Sequence, residues 1–163
     1  MRDTMINLFN DYSSLIIFLH VVSAIIWVGG MIALRFAVHF TMQDIEKPQV
    51  KLKLILDYLE RFFNIVRPMI GLLLVTAVIM SIALGFKGTP LSMIVHIKEA
   101  IWLIMTIVFI IIYLKRNTAQ IYFDSNDFKS AKETLTVIAK YLIPLNIILG
   151  LIALYFGIVL RGF

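Results

Sequence analysis

Four long apolar segments, each able to cross a bilayer as a helix, leave this chain few folds to choose from. They lie at about 14–40, 62–86, 91–114 and 135–160. A hydrocarbon core of about 30 Å takes roughly 20 mostly apolar residues in a helix. Inside lipid, the backbone groups of such a segment must be satisfied within it. The sequence therefore predicts an all-α integral membrane protein, its four transmembrane helices forming an antiparallel bundle. Spans and joints use nearly all of the 163 residues, so 1–163 reads as one transmembrane domain. Composition agrees: 61% of residues are hydrophobic, against about 45–50% in an ordinary soluble domain. The first span runs past the length of a signal peptide without a small-residue cleavage site, so it is expected to be retained.

The joints set the expected orientation. Stretches 41–61 and 115–140 hold Lys47, Lys51, Lys53, Arg61, Lys115, Arg116, Lys129, Lys132 and Lys140, whereas the other side has only Arg2, Lys87 and Arg161. The positive-inside rule then places loops 41–61 and 115–134 in the cytoplasm and both termini outside it, in a multi-pass protein of the cell (inner) membrane. Within 41–61, Leu52, Leu56 and Leu59 have the spacing of a helix running beyond the lipid. Asp124-Ser125-Asn126-Asp127 and the 87–90 joint carry turn signals. The net charge of +5 is explained by these loops, and no aromatic-interleaved basic patch points to nucleic acid. The absence of cysteine excludes disulfides, thiolate metal sites and cysteine nucleophiles. No phosphate-binding loop, nucleophile elbow or HExxH pattern is present.

Ionisable groups within the spans are costly and therefore candidate functional groups. His20 follows Ser14 by six residues and His96 follows Pro90 by six, which puts both rings roughly 9 Å inside one boundary. Two histidines at one depth on two helices can ligate a metal, and in an apolar four-helix core a b-type haem suits them. Ser23, Trp27, Gly30 and Leu34 follow His20 on one helix face. Gly30 would let a macrocycle approach closely; a small-residue contact between helices is the plain alternative. His39 lies about 28 Å further along and cannot share the His20 site. Arg35, His39 and Arg67 gather on the cytoplasmic side, where the arginines can bind carboxylates or phosphates or simply snorkel. Glu99, three residues after His96, is expected near that ring as an orienting or proton-accepting group. Lys98 is expected to point almost oppositely, as a carboxylate-binding candidate. An ion pair between Lys98 and Glu99, kept away from lipid, is the plain alternative. Eight methionines are scattered rather than clustered and read mainly as packing.

Several of these strings resemble a known family. Phe18-Leu19-His20, Trp27-Val28-Gly29-Gly30, Leu34-Arg35 and Val38-His39 look like the first helix of the HemJ-type protoporphyrinogen IX oxidases and of the related CopD-type copper-resistance membrane domains. The likeness continues through Glu60-Arg61-Phe62-Phe63, Pro68-Met69 and Thr76 to His96-Ile97-Lys98; the fourth span matches only as an apolar segment. Phe63 stands where the family carries tyrosine, Glu99 where it is usually apolar, and Trp-Val-Gly-Gly is more typical of the CopD-like proteins. The HemJ-type resemblance implies a small helical membrane protein that binds haem b. It implies oxidation of a porphyrinogen substrate in porphyrin biosynthesis, with electrons passed to quinone or the respiratory chain. His20 and His96 would then be the metal ligands, Trp27 and Gly30 would flank the cofactor, and Lys98, Arg35 and Glu99 would be the catalytic candidates. The CopD-like resemblance implies instead a copper transport or tolerance protein, with Met31 or Met93 assisting the histidines. A non-catalytic assembly subunit is the third reading. Lipid is the expected surrounding, and a homodimer is compatible with so small a bundle.

Overall fold

The structure, a computed structural model, describes residues 2–38, 41–86, 89 and 91–160. His39, Lys87, Pro90 and Arg161, all used in the sequence reading, lie outside the described residues. Four helices carry the fold: α1 (Arg2–Val38), α2 (Pro48–Ala83), α3 (Ser92–Asp124) and α4 (Phe128–Leu160). No strand occurs among the described residues. Each helix is long and apolar enough to cross a membrane, and the chain is a multi-pass membrane protein.

The helices pack in a ring, α1 on α2, α2 on α3, α3 on α4 and α4 back on α1. Their antiparallel sense is visible in paired contacts whose numbering runs in opposite directions: His20 meets Thr76 while Gly30 meets Phe62, Leu56 meets Arg116 while Phe63 meets Phe109, and Lys98 meets Gly157 while Met105 meets Gly150. One end of the bundle holds 41–61 and 115–134, hereafter the basic end. All four helices overrun the apolar spans expected from sequence. At the basic end α2 starts at Pro48 because Leu52, Leu56 and Leu59 are buried in the core. At the opposite end α1 kinks at Tyr12 (φ −127°, ψ 27°), next to the expected start of its span.

Local chemistry explains the helix ends. Gly85 (φ +62°) follows the last turn of α2, and Asn126 (φ +62°) lies in the turn between α3 and α4; both residue types tolerate this left-handed conformation. Asp127 caps α4 by accepting the Ser130 backbone N–H at 3.1 Å. Hydrogen bonds from the Ser130 side chain and backbone hold its carboxyl below the ordinary carboxylate range. A lowered folded-state pKa means that the cap stabilises α4 above the unfolded carboxylate pKa and is lost as pH falls through the folded value. Asp127→Ala is accordingly expected to speed amide exchange at Ser130 at neutral pH. The difference from the parent should vanish in acid. Further along, Pro144 offers no N–H to the carbonyl one turn back and crowds it; the wide π turn Ile138–Leu142 absorbs the mismatch.

Burial is densest in the middle and at the basic end. Trp27, Met31, Leu56, Phe63, Val66, Ile112 and Ile138 are fully buried there. Their rings interlock edge to face: Phe63 and Phe109 lie 5.3 Å apart between centroids, Trp27 and Phe109 6.3 Å. At the opposite end the buried side chains thin out to Phe9, Ile16 and Ser23 on α1 and Thr76 on α2. Two glycines bring helices close. A Cβ on Gly30 would overlap the Phe62 ring of α2, and one on Gly150 would meet Val28 of α1 at 2.5 Å. Gly30→Leu is expected to force α1 and α2 apart, costing about 1–3 kcal/mol, which a thermal melt in detergent would register. Gly71→Leu, at a position with open space, serves as the silent control.

Candidate functional site

His20 is the histidine that the bundle holds from inside. Its Nδ1 lies 2.9 Å from the Thr76 hydroxyl of α2. Thr76, itself buried, donates its own hydrogen to the Leu72 carbonyl at 2.8 Å. The hydroxyl oxygen therefore accepts from the ring, which fixes the proton on Nδ1 and leaves the Nε2 lone pair free. An imidazole held through one nitrogen with the other open is how proteins prepare a metal ligand. Ser23, one turn on, is fully buried; it donates to the Leu19 carbonyl at 2.7 Å and sits 3.8 Å from Met69 Sδ. His20, Ser23, Met69 and Thr76 thus form a narrow polar seam between α1 and α2.

The turn of α3 at the same level divides its ionisable groups between two sides. Lys98 is half-buried, its Nζ 3.3 Å from where a Cβ on Gly157 of α4 would stand. His96 faces out of the bundle. Its Nδ1 pairs with Glu99 Oε2 at 3.1 Å, and the two side chains are 70% and 59% exposed. Glu99 thus sits beside His96 as the spacing predicts, and Lys98 on the other side. The alternative of a Lys98–Glu99 pair shielded from lipid is not what forms, because Glu99 is turned outward with His96. The structure places His20 and His96 near one end of the bundle without bringing them together, each Nδ1 being held by a different partner.

Trp27 and Gly30 belong to the packing of α1. Trp27 is 1% exposed and set edge-on to Phe109, its indole N–H without a hydrogen-bond partner. The space above Gly30 is taken by Phe62, so in this fold the glycine serves a helix–helix contact, the plain alternative of the sequence reading. Arg35 is half-buried at the basic end. It is separated from His20 by fifteen residues, about 22 Å of helix, and so cannot join Lys98 and Glu99 in one cluster. Arg67 is not with it either: Arg67 bonds Asn64 and the Phe63 carbonyl and lies over the Tyr113 ring at 5.2 Å.

One charged residue that the sequence reading assigned to topology is structural. Arg116 is buried, donating to the Leu56 carbonyl from Nε at 3.3 Å and from a terminal nitrogen at 3.1 Å, and to Glu60 at 2.8 Å. The signal was available, since Arg116 lies four residues after Ile112 and three before Ala119, both core positions. Thr76 was noticed only as part of a resemblance, and its role follows from its hydrogen bonds.

No family model, curated protein or solved structure matches this chain.

Among the described residues, no group of three or more His, Asp or Glu side chains could hold a metal ion. A metal here would need most of its ligands from elsewhere. A porphyrin meets that condition, because its ring nitrogens complete the coordination around one or two histidines.

Proposed function

We propose that this chain is a haem b-binding membrane redox protein in which His20 supplies an iron ligand. The observation that carries the reading is the His20–Thr76 hydrogen bond, with the Thr76 hydrogen committed to Leu72. Haem b, when bound, supplies a one-electron carrier inside the bilayer. The protein's own groups orient and neutralise. Thr76 holds the imidazole tautomer, and Lys98 contributes a positive charge at that level for a carboxylate. His96 with Glu99 offers a proton-accepting pair on the outer face of α3.

The resemblance of the α1 and α3 strings makes protoporphyrinogen IX the first substrate to test, with a quinone as electron acceptor. The positive-inside rule supports an inner-membrane location with the basic end in the cytoplasm. A second reading, copper handling, draws on Met93 and His96, three residues apart and both exposed on α3. A reduced-minus-oxidised absorbance spectrum of the purified protein tests the first against the second. A b-type difference spectrum is expected. A colourless protein, even after expression with haem precursor, would sink the haem reading.

A further inference from the structure

A second region, far from His20 at the basic end, is a cavity of different chemistry. It is a half-open space of about 940 Å³ between the end of α1, the start of α2 and the first turns of α4. Ligand pockets commonly hold about 300–1,000 Å³, so this one can take a large molecule. Its walls are apolar, formed by side chains such as Leu34, Leu52, Ile55, Leu59, Leu135 and Ile138. Among the described residues its charged lining is strongly one-signed: Arg35, Lys51, Lys129, Lys132 and Lys140 contribute five cations, against the one carboxylate of Glu46.

Position selects the occupant. Arg35 and Lys140 stand near the ends of their apolar segments, while Lys51, Lys129 and Lys132 lie on the helix extensions beyond them. The cavity therefore straddles the level at which hydrocarbon gives way to headgroups. α1 and α4 approach closely at Val28 and Gly150, and both line the cavity nearer the basic end. Basic pockets between membrane helices recognise lipid phosphates in this way, the charges meeting the headgroup and the apolar walls the chains.

We propose that the basic-end cavity is a binding site for an anionic phospholipid, its phosphate held by Lys129, Lys132 and Lys140 and its acyl chains against Leu52, Leu135 and Ile138. The site is independent of the haem reading. The half-buried Arg35, too far along α1 to join the His20 region, lines this cavity instead.

Full-length protein in neutral detergent, titrated with phosphatidylglycerol or phosphatidylcholine and followed by native mass spectrometry, tests the proposal. Phosphatidylglycerol is expected to be retained and phosphatidylcholine not. Retention should weaken about fivefold for each lysine neutralised, hence by roughly a hundredfold in Lys129→Gln/Lys132→Gln/Lys140→Gln. These lysines are exposed, so folding should be unaffected. Lys53→Gln/Lys115→Gln, outside the cavity lining, should bind like the parent. Ala139→Trp, which fills the cavity without changing charge, should lose the lipid. Equal retention of both lipids, or equal losses in the two lysine variants, would overturn the proposal. So would glycerol phosphate binding as tightly as the lipid, which would mark a site for free phosphate. Displacement of the lipid by protoporphyrin at equal concentration would likewise overturn it, in favour of a dicarboxylate. His20→Ala should leave lipid retention unchanged, which separates this test from that of the haem reading.

Discussion

His20→Ala protein is expected to purify folded but without a b-type difference spectrum. The more discriminating variant is Thr76→Val, which keeps the shape of the side chain and removes its oxygen. Without that acceptor the His20 ring can protonate on Nε2, the nitrogen needed for iron, and can rotate. Losing such an outer partner typically costs 10–100-fold in metal affinity. Haem occupancy should therefore fall with Thr76→Val, while Thr76→Ser, which restores an acceptor, should recover most of it. A purely structural role for the His20–Thr76 bond predicts otherwise: the melting midpoint would drop, and the haem-to-protein ratio of the remaining folded protein would match the parent. His96→Ala is expected to retain the spectrum, because that ring faces out of the bundle, 70% exposed. If His96→Ala bleaches the protein as His20→Ala does, the iron has two ligands. The exposed His96 would then have to reach it from a neighbouring copy or after a rearrangement of α3.

The number of helices was legible because lipid enforces it: four segments of the required length leave no other backbone solution. That the joints 41–61 and 115–134 share one end was legible for the same reason, since four consecutive spans bring alternate joints to the same side. Facing was not. α3 is apolar all round between Ile101 and Leu114, and hydropathy cannot mark the inward side of a helix whose outer side meets lipid. The structure marks it with Ile101, Met105, Val108 and Ile112. Lys98 precedes Ile101 by three residues and Met105 by seven, so it shares their face, whereas His96 is about 160° away from Lys98 around the helix. Gly30 shows the other kind of limit. Its smallness was visible, but the ring that fills it belongs to Phe62, on another helix, and nothing local to α1 names that neighbour. The cavity at the basic end escaped for a related reason: its lysines look like ordinary topogenic loop charges until α1, α2 and α4 assemble around one space.

Arg116→Ala is expected to destabilise the bundle by about 2–3 kcal/mol, the worth of a charged, multiply hydrogen-bonded side chain lost from a buried position. The upper range for a broken buried ion pair, about 3–5 kcal/mol, does not apply in full, because the Glu60 side chain is 58% exposed and its carboxylate returns to water. For a chain of this length the loss corresponds to a melting midpoint lower by about 5–10 °C. Arg116→Lys decides between structure and topology. If Arg116 acts only as a positive charge near the end of a span, lysine preserves it and the midpoint stays put. In the structure the guanidinium reaches the Leu56 carbonyl through two nitrogens and Glu60 through one, a fork that an ammonium cannot reproduce. Arg116→Lys should therefore lose most of what Arg116→Ala loses, and Glu60→Gln, which alters only the exposed partner, should cost less than about 1 kcal/mol. That ranking would locate the clasp between α2 and α3 in the Leu56 carbonyl rather than in the ion pair, and an equal cost for Glu60→Gln and Arg116→Ala would locate it in the ion pair.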